Sequence, residues 1–262
     1  MTENHHSIAG HAGGIARTRM YGNPGTPQGR RKGGLNSLAT HRLRNTGFKL
    51  LRAILFPNES RDLAELMGIL AGDGHIDTYQ VSLCTNSVTD LEHAVYVQSL
   101  FERLFSLPAK LTKRKKVNAC TVVLSSKEVC RFLVAKGMVR GNKIRGNLRM
   151  PQWIHRRPKY RSAFIRGLFD TDGCVYVDVH RIGGREYRNI GMAFTNRAAY
   201  ILQGFKDALE ALGLHPTQKT KYTVFLRREK DIERYFEAVG SSNPKHLRKV
   251  ERYFSSRRGG VG

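Results

Sequence analysis

Apolar residues along this chain recur with two periods, one typical of helices and one of strands. Helical spacing is clearest in residues 61–71 and 158–169, where one face of each segment is apolar. Alternation is clearest at Val175, Val177 and Val179, which predicts a strand with one buried face. The whole pattern predicts helices over 61–71, 88–107, 127–135, 158–169, 197–212 and 230–239, and strands over 79–85, 111–115, 120–124, 175–179, 190–194, 217–221 and 223–227.

The predicted elements occur twice in the same order. The segment LAELMGILAGDGHI at 63–76 aligns with SAFIRGLFDTDGCV at 162–175. The other aligned pairs are 81–90 with 191–200 and 122–129 with 224–231. Repeats in one order indicate two copies of one unit, each predicted to be helix, hairpin, helix, hairpin, helix. The first hairpin is longer in the second copy, so a ligand with strict twofold symmetry is not expected.

The net charge of the chain limits the classes of partner that it is expected to bind. Its 45 Lys and Arg residues against 21 Asp and Glu residues give a net charge of +24, which favours a polyanion such as nucleic acid. No apolar run approaches the ~20 residues that span a bilayer, so no membrane partner is expected. Four cysteines without a C-x-x-C pair indicate reduced thiols. We therefore expect an intracellular protein of the cytoplasm or nucleoid, or of an organelle.

The first 58 residues differ from the rest because they hold nine Lys and Arg, nine Gly and one acidic residue. Residues 22–37 are rich in helix breakers and predict an extended or flexible arm, followed by a weak helix over 37–54. The arm either follows phosphates or a minor groove, or is a solvated tail. The predicted divisions are an arm at 1–58, a first half at 59–137, a basic linker at 138–157, a second half at 158–254 and a flexible tail at 255–262.

The best-matched helices carry small residues four positions apart. These are Gly68 and Gly72 in the first copy, and Gly167 and Thr171 in the second. Small residues at this spacing share one helix face and let two backbones approach closely. We therefore expect the two helices to pack together and form the interface between the copies.

Both helices end in Asp-Gly, at Asp73-Gly74 and Asp172-Gly173. The glycines suit a left-handed helix cap, whereas an aspartate opposes the helix dipole. Close packing would bring the two carboxylates together, where they repel unless they are protonated or bridged by cations. Divalent metal held by both acids and by phosphate oxygens explains the pair, and oxygen-only ligands suit Mg²⁺. The alternative is that both are simple turn residues.

With these motifs, residues 61–252 resemble the LAGLIDADG homing endonucleases in their single-chain, two-motif form. The resemblance implies an α+β fold of two pseudo-symmetric αββαββα halves, packed through the motif helices, with antiparallel sheets forming a saddle for DNA. It implies that Asp73 and Asp172 are catalytic metal ligands. Gly72 and Thr171, which precede them, are the other expected metal-binding residues. Ala71 departs from the motif, whereas Asp170 keeps it; the family tolerates this because the later acid binds metal.

The resemblance also implies a polar residue after the second strand of each half, and a lysine on the second hairpin. Asn86 and Asn196 match the first role, positioning water near the metals, and both also suit a helix N-cap. Lys115 and Lys219 are the candidates for the second role, stabilising charge near the scissile phosphates. A solvated or phosphate-contacting lysine is the open alternative.

Polar strand and loop residues are predicted to contact DNA, since a two-stranded ribbon fits the major groove. The candidates are Asp77, Tyr79, Lys113, Arg114, Lys116, Tyr176, Asp178, His180, Arg185, Arg188 and Lys221. The resemblance implies a monomeric, intron-encoded endonuclease with Mg²⁺ as cofactor and Mn²⁺ as a substitute. Its expected partner is double-stranded DNA with a long asymmetric site. The alternatives are an RNA maturase that acts on its own intron RNA, and a DNA-binding protein that does not cleave.

Overall fold

The computed structural model describes residues 5–44, 46 and 54–258, in two units, Met1–Arg52 and Ala53–Gly262. The first unit contains helices α1 (His5–Tyr21) and α2 (Pro27–Arg44). The extended arm predicted over 22–37 is therefore wrong from Pro27 onward. A helix begins here because Thr26 Oγ1 accepts the N–H of Gly29 at 3.0 Å and Pro27 follows that cap, as helix starts favour. The predicted helix over 37–54 is helical to residue 44, and residues 45 and 47–53 lie outside the described residues.

The second unit contains the two predicted copies. The first consists of α3 (Arg61–Gly72), β1 (Gly74–Ile76), β2 (Gln80–Thr85), α4 (Leu91–Phe105), β3 (Lys110–Lys113), β4 (Cys120–Ser125) and α5 (Lys127–Ala135). A short helix, α6 (Gln152–His155), lies in the linker. The second copy consists of α7 (Pro158–Asp172), β5 (Gly173–Ile182), β6 (Arg185–Thr195), α8 (Ala199–Glu210), β7 (Thr217–Thr220), β8 (Thr223–Leu226) and α9 (Glu229–Ala238), and α10 (Pro244–Arg258) follows it. None of the helices in the described part of the chain is long and apolar enough to cross a membrane.

The two sheets have the same topology. Each has four antiparallel strands, in the orders β1-β2-β4-β3 and β5-β6-β8-β7. Their apolar inner faces pack against helices, with Val81, Leu83, Val122 and Leu124 buried in the first sheet and Met192, Phe194, Val224 and Leu226 in the second. The predicted α+β fold of two related halves is confirmed.

The long β5–β6 hairpin extends beyond the core. Val175 is fully buried, but Val177 and Val179 are 38% and 48% exposed, so the prediction of one continuous buried face is wrong. Strand β8 pairs with β6 only from Met192 to Thr195. The outer part of the hairpin therefore lacks the sheet that would support it.

Helix α10 was not predicted from the sequence. Most of its residues are basic or polar, and its apolar stripe is narrow; within that stripe, Val250 and Tyr253 are buried. The Tyr253 hydroxyl donates to the carbonyl of Arg188 in β6 at 3.0 Å. The helix therefore anchors the long hairpin, and the tail predicted at 255–262 is wrong for residues 255–258, which are helical.

Candidate metal and nucleic-acid site

Helices α3 and α7 pack together through their glycines. A Cβ atom added to Gly68 would overlap the carbonyl oxygen of Phe164, and one added to Gly167 would overlap that of Glu65. The two backbones are therefore in direct contact at both positions, as small residues on facing helices allow. The prediction that these helices form the interface between the copies is confirmed.

Both helices end at an aspartate and turn directly into a strand. Asp73 is the C-cap of α3, and Asp172 is the last residue of α7. The predicted left-handed glycine cap is wrong, because Gly173 has a φ of −94° and Gly74 has no positive φ. Space explains the glycines instead: a Cβ atom on Gly74 would lie 2.5 Å from the Cα atom of Leu70. The tight turn places each aspartate where the helix interface opens.

The two carboxylates interact electrostatically. Burial raises the pKa of Asp172 to about 6, and repulsion from Asp73 adds to this rise. Asp73 has an exposed surface, yet the surrounding protein removes hydration from its carboxyl group and raises its pKa too. Lys143 lowers the pKa of both aspartates by its positive charge. Two carboxylates that repel each other form a site that favours a cation.

Lys143 comes from the linker between the copies and was missed by the sequence analysis. Its Nζ atom donates to the last carbonyls of α3, at 3.3 Å to Leu70 and 3.1 Å to Ala71, and also to Gly72. No sequence signal distinguishes it, since the linker 138–157 contains many basic residues. The structure therefore adds a lysine to the site that neither repeat contains.

The oxygen donors at this site fit a hard divalent cation. Asp73 and Asp172 supply carboxylate oxygens, and no cluster of three or more His, Cys, Asp or Glu residues exists in the described part of the chain. An ion here would take its remaining ligands from water and phosphate, as Mg²⁺ commonly does. Gly72 and Thr171 were also predicted as metal ligands. The carbonyl of Gly72 already accepts a hydrogen bond from Lys143, and the Thr171 hydroxyl donates to the carbonyl of Leu168 at 2.9 Å.

Removing the charge of Asp172 is expected to stabilise the metal-free protein. Its folded pKa of about 6 exceeds the unfolded value of about 3.9, so ionisation costs more in the folded state. The contribution of the protonated group is complete below about pH 4 and is lost as the pH rises through about 6. Asp172→Asn should raise the free energy of unfolding by about 2 kcal/mol at pH 7.5 in EDTA, and by less at pH 4. Urea unfolding measures this difference, and a difference that is equal at both pH values would contradict the prediction. Asp207→Asn, at an exposed position of α8, is the control.

Comparison with known proteins finds a family similar to the second copy. A sequence model of the family described as "LAGLIDADG-like domain" matches residues 159–240, from α7 to the end of α9. Residues 159–240 are therefore similar to a LAGLIDADG-like domain. The first copy, outside the matched residues, repeats the element order and strand order of the second.

Two solved structures of nucleases are among those similar to this chain. The LAGLIDADG meganuclease I-AabMI, bound to uncleaved DNA, is 11% identical, with 74% of this chain and 92% of that chain covered and a TM-score of 0.50. The homing endonuclease I-DmoI, in complex with DNA and Mn, is 18% identical, with 71% and 99% covered and a TM-score of 0.46. A curated relative, the replication factor C small subunit of Methanocaldococcus jannaschii, is 28% identical over 210 residues. That match covers 76% of this chain, which spans about a tenth of the relative's length.

The two asparagines predicted near the ends of α3 and α7 are not equivalent. Asn196 donates to Oδ2 of Asp172 at 2.6 Å and accepts the N–H of Ala198 at 2.8 Å. Asn86 Oδ1 accepts the N–H groups of Val88 and Thr89, at 2.8 and 3.1 Å. Neither is the helix N-cap that the sequence suggested, since α4 and α8 are capped by residues 90 and 198. Asn196 therefore orients an aspartate, whereas Asn86 fixes a turn.

The predicted hairpin lysines are not among the cations that shift the pKa values of the two aspartates. Lys115 is in the turn after β3, which ends at residue 113 rather than 115 as predicted, and Lys219 is exposed on β7. The cations that shift the pKa values of the two aspartates are Lys143 for both and Lys245 for Asp73. The catalytic roles of Lys115 and Lys219 stay predictions.

The outer face of the β5–β6 hairpin carries most of the predicted DNA contacts of the second half. His180 and Tyr187 are cross-strand partners whose rings stack at 5.7 Å. Tyr176 lies over Gly191, where a Cβ atom would overlap its ring. Exposed Asp178 shares this face by alternation, as does Arg185 at the start of β6.

Two predicted contacts face the other way. Arg188 pairs with Val179 on the inner side of the hairpin, where it lines a cavity of about 660 Å³ with Lys249 and Arg252 of α10. Lys113 pairs with buried Cys120 and shares its face. Strand alternation therefore assigns both residues to the inner face, both are exposed, and their DNA contacts stay predictions.

The remaining predicted DNA contacts lie in exposed turns. Asp77 Oδ1 accepts the N–H of Thr78 at 2.6 Å, and the Nζ atom of Lys127 lies 5.7 Å from the ring centre of Tyr79. The other turn residues are Arg114, Lys116 and Lys221. Their basic side chains are free to meet phosphates, and their roles stay predictions.

Asp170, the earlier acid of the second motif, has a structural task. It is 1% exposed and accepts from Ser241 Oγ and, at 2.8 Å, from the N–H of Ser242. Burial raises its pKa to about 7. It therefore holds the loop before α10, whereas Ala71 at the matching position packs into the core.

Proposed function

We propose that this protein is a site-specific, double-strand DNA endonuclease that uses divalent metal to hydrolyse phosphodiester bonds. The observation that carries the proposal is the convergence of Asp73 and Asp172 at the ends of two helices in backbone contact. The LAGLIDADG-like domain at residues 159–240 supports the same activity. We name Mg²⁺ as the cofactor, with Mn²⁺ as a substitute, because the site offers oxygen donors to a hard cation.

The residues of the chain have separate tasks in this reaction. A bound divalent ion supplies Lewis-acid stabilisation of the attacking and leaving oxygens. Asp73 and Asp172 would hold that ion, and Asn196 fixes the orientation of the Asp172 carboxylate through its 2.6 Å hydrogen bond. The tight glycine packing keeps the two acids at a fixed separation, which preorganises the site.

The sheets supply the surface for DNA. The net charge of +24 favours a long phosphate contact, and outer-face side chains such as Tyr176, His180 and Tyr187 reach base edges. The first hairpin of the second half is far longer than that of the first half. A single chain with two unequal halves suits a monomer that binds a long asymmetric target.

The activity can be tested without knowing the target. Purified protein is incubated with a randomised or genomic duplex library in Mg²⁺, and new DNA ends are sequenced. We expect ends that share one long sequence, which are absent in Ca²⁺ and for the double variant Asp73→Asn/Asp172→Asn. Duplex retention without new ends would overturn the nuclease proposal and leave the non-cleaving DNA-binding protein or the RNA maturase, which structured intron RNA would then test.

The genetic and cellular setting follows from this activity. An endonuclease with one long target is suited to spreading the element that encodes it, so we propose an intron-borne gene and action on intracellular DNA. Mapping the coding sequence against the transcript of its host gene tests the first part. A free-standing gene without a flanking intron would contradict it.

A further inference from the structure

Lys143 places a positive charge inside the catalytic site from outside both repeats. Its ammonium group contacts the carbonyls of Ala71 and Gly72 at the end of α3. The same charge acts on Asp73 and Asp172 at once. Lys143 is therefore shared between the two halves, although it is covalently part of neither.

In the second copy, a neutral side chain satisfies the carbonyl that matches the one contacted by Lys143 in the first. The carbonyl of Asp170, which matches that of Ala71, accepts from the Asn243 amide at 3.1 Å. A neutral donor is therefore sufficient to satisfy a carbonyl at this position. The charge of Lys143 is therefore not needed to satisfy this carbonyl, and the groups of opposite charge on which it acts are the two aspartates.

We propose that Lys143 is a positioning residue that neutralises the Asp73–Asp172 pair from within the protein and competes with the divalent ion for its oxygen ligands. The inference rests on the proposed function only in taking these aspartates as the metal site. The ammonium group holds the two acids together despite their repulsion, and it occupies the carbonyl of Gly72. Metal binding therefore requires Lys143 to yield part of this contact.

The consequence is weak metal binding by the protein alone. Lys245 also acts on Asp73 but is paired with Asp90 at 2.6 Å. The two carboxylates and the Lys143 ammonium group therefore present a net charge of about −1 to an incoming cation, rather than the −2 of the carboxylates alone. Phosphate oxygens from bound DNA would add the missing negative charge. The lysine thus makes metal loading depend on DNA.

The test compares the response of three variants to Ca²⁺ without DNA. Lys143→Met removes the charge, Lys143→Arg keeps it, and Lys249→Met removes a lysine that donates to the carbonyl of Val175 at 3.0 Å, away from the aspartates. We expect Lys143→Met to have a lower Tm than wild type in EDTA and to bind Ca²⁺ roughly tenfold more tightly, measured by Tm shift and calorimetry. Lys143→Arg and Lys249→Met should respond to Ca²⁺ as wild type does.

A purely structural role for Lys143 predicts a different result. Lys143→Met would then have a lower Tm than wild type in EDTA, but its Tm shift on adding Ca²⁺ and its Ca²⁺ affinity would equal those of wild type and of Lys249→Met. Equal responses, including no response in any protein, overturn the inference. Because no DNA is present, this result is independent of cleavage: absent cleavage with a distinct Ca²⁺ response would reject the nuclease proposal and keep the role of Lys143.

Discussion

Replacing Asp73 or Asp172 with asparagine is expected to lower the rate of DNA cleavage by at least about 10³-fold, since a metal ligand stabilises charge that develops in the transition state. The asparagine keeps the shape of the side chain but loses the carboxylate that attracts the cation. Affinity for the target in Ca²⁺ should stay within about threefold of wild type, because the proposed binding surface is on the outer sheet faces rather than at the aspartates. Single-turnover cleavage and fluorescence anisotropy measure the two quantities.

The two single variants also report how the site is divided. Asp73 ends α3 and Asp172 ends α7, and the two helices pack together. Either substitution should therefore slow cleavage of both DNA strands. A variant that nicks one strand at the wild-type rate would contradict shared use of Asp73 and Asp172. Asp207→Asn, on the exposed side of α8, is the matched control and should cleave at the wild-type rate.

The sequence was sufficient to predict those parts of the fold that repeat. Two copies of a pattern give each helix and strand a second observation, and the glycines Gly68 and Gly167 then indicate a helix interface. The hairpins β3–β4, β5–β6 and β7–β8 and the packing of α3 on α7 followed from this reasoning. Periodicity failed at Val177 and Val179, because alternation reports a two-faced strand but not how far the supporting core extends.

The site was predictable only for residues within the motif. Asp73 and Asp172 stand out because an acid at a helix C-terminus is locally unfavourable. Lys143 has no such mark, since its role depends on a loop that returns to the end of α3 from about seventy positions along the chain. Helix α10 was missed because its basic residues outnumber the apolar ones that pack. Tertiary contact, rather than local pattern, decides both features.

The glycines of the helix interface should be the least replaceable residues of the fold. Gly167→Ala and Gly68→Ala are each expected to lower the free energy of unfolding by about 3 kcal/mol, as forced overpacking of a tight core does. The new Cβ atom meets backbone rather than a flexible side chain: at Gly167 it would lie 2.7 Å from the Ile69 nitrogen. Urea unfolding measures the loss.

The matched control is a helical glycine that has space around it. A Cβ atom on Gly204 in α8 meets nothing closer than Met150 at 3.8 Å, so Gly204→Ala should raise stability by about 0.5–1 kcal/mol through helix propensity. Equal effects of Gly167→Ala and Gly204→Ala would contradict backbone contact between α3 and α7. Since the same contact sets the separation of Asp73 and Asp172, a Gly167→Ala protein that remains folded should also lose cleavage rate while it still binds DNA.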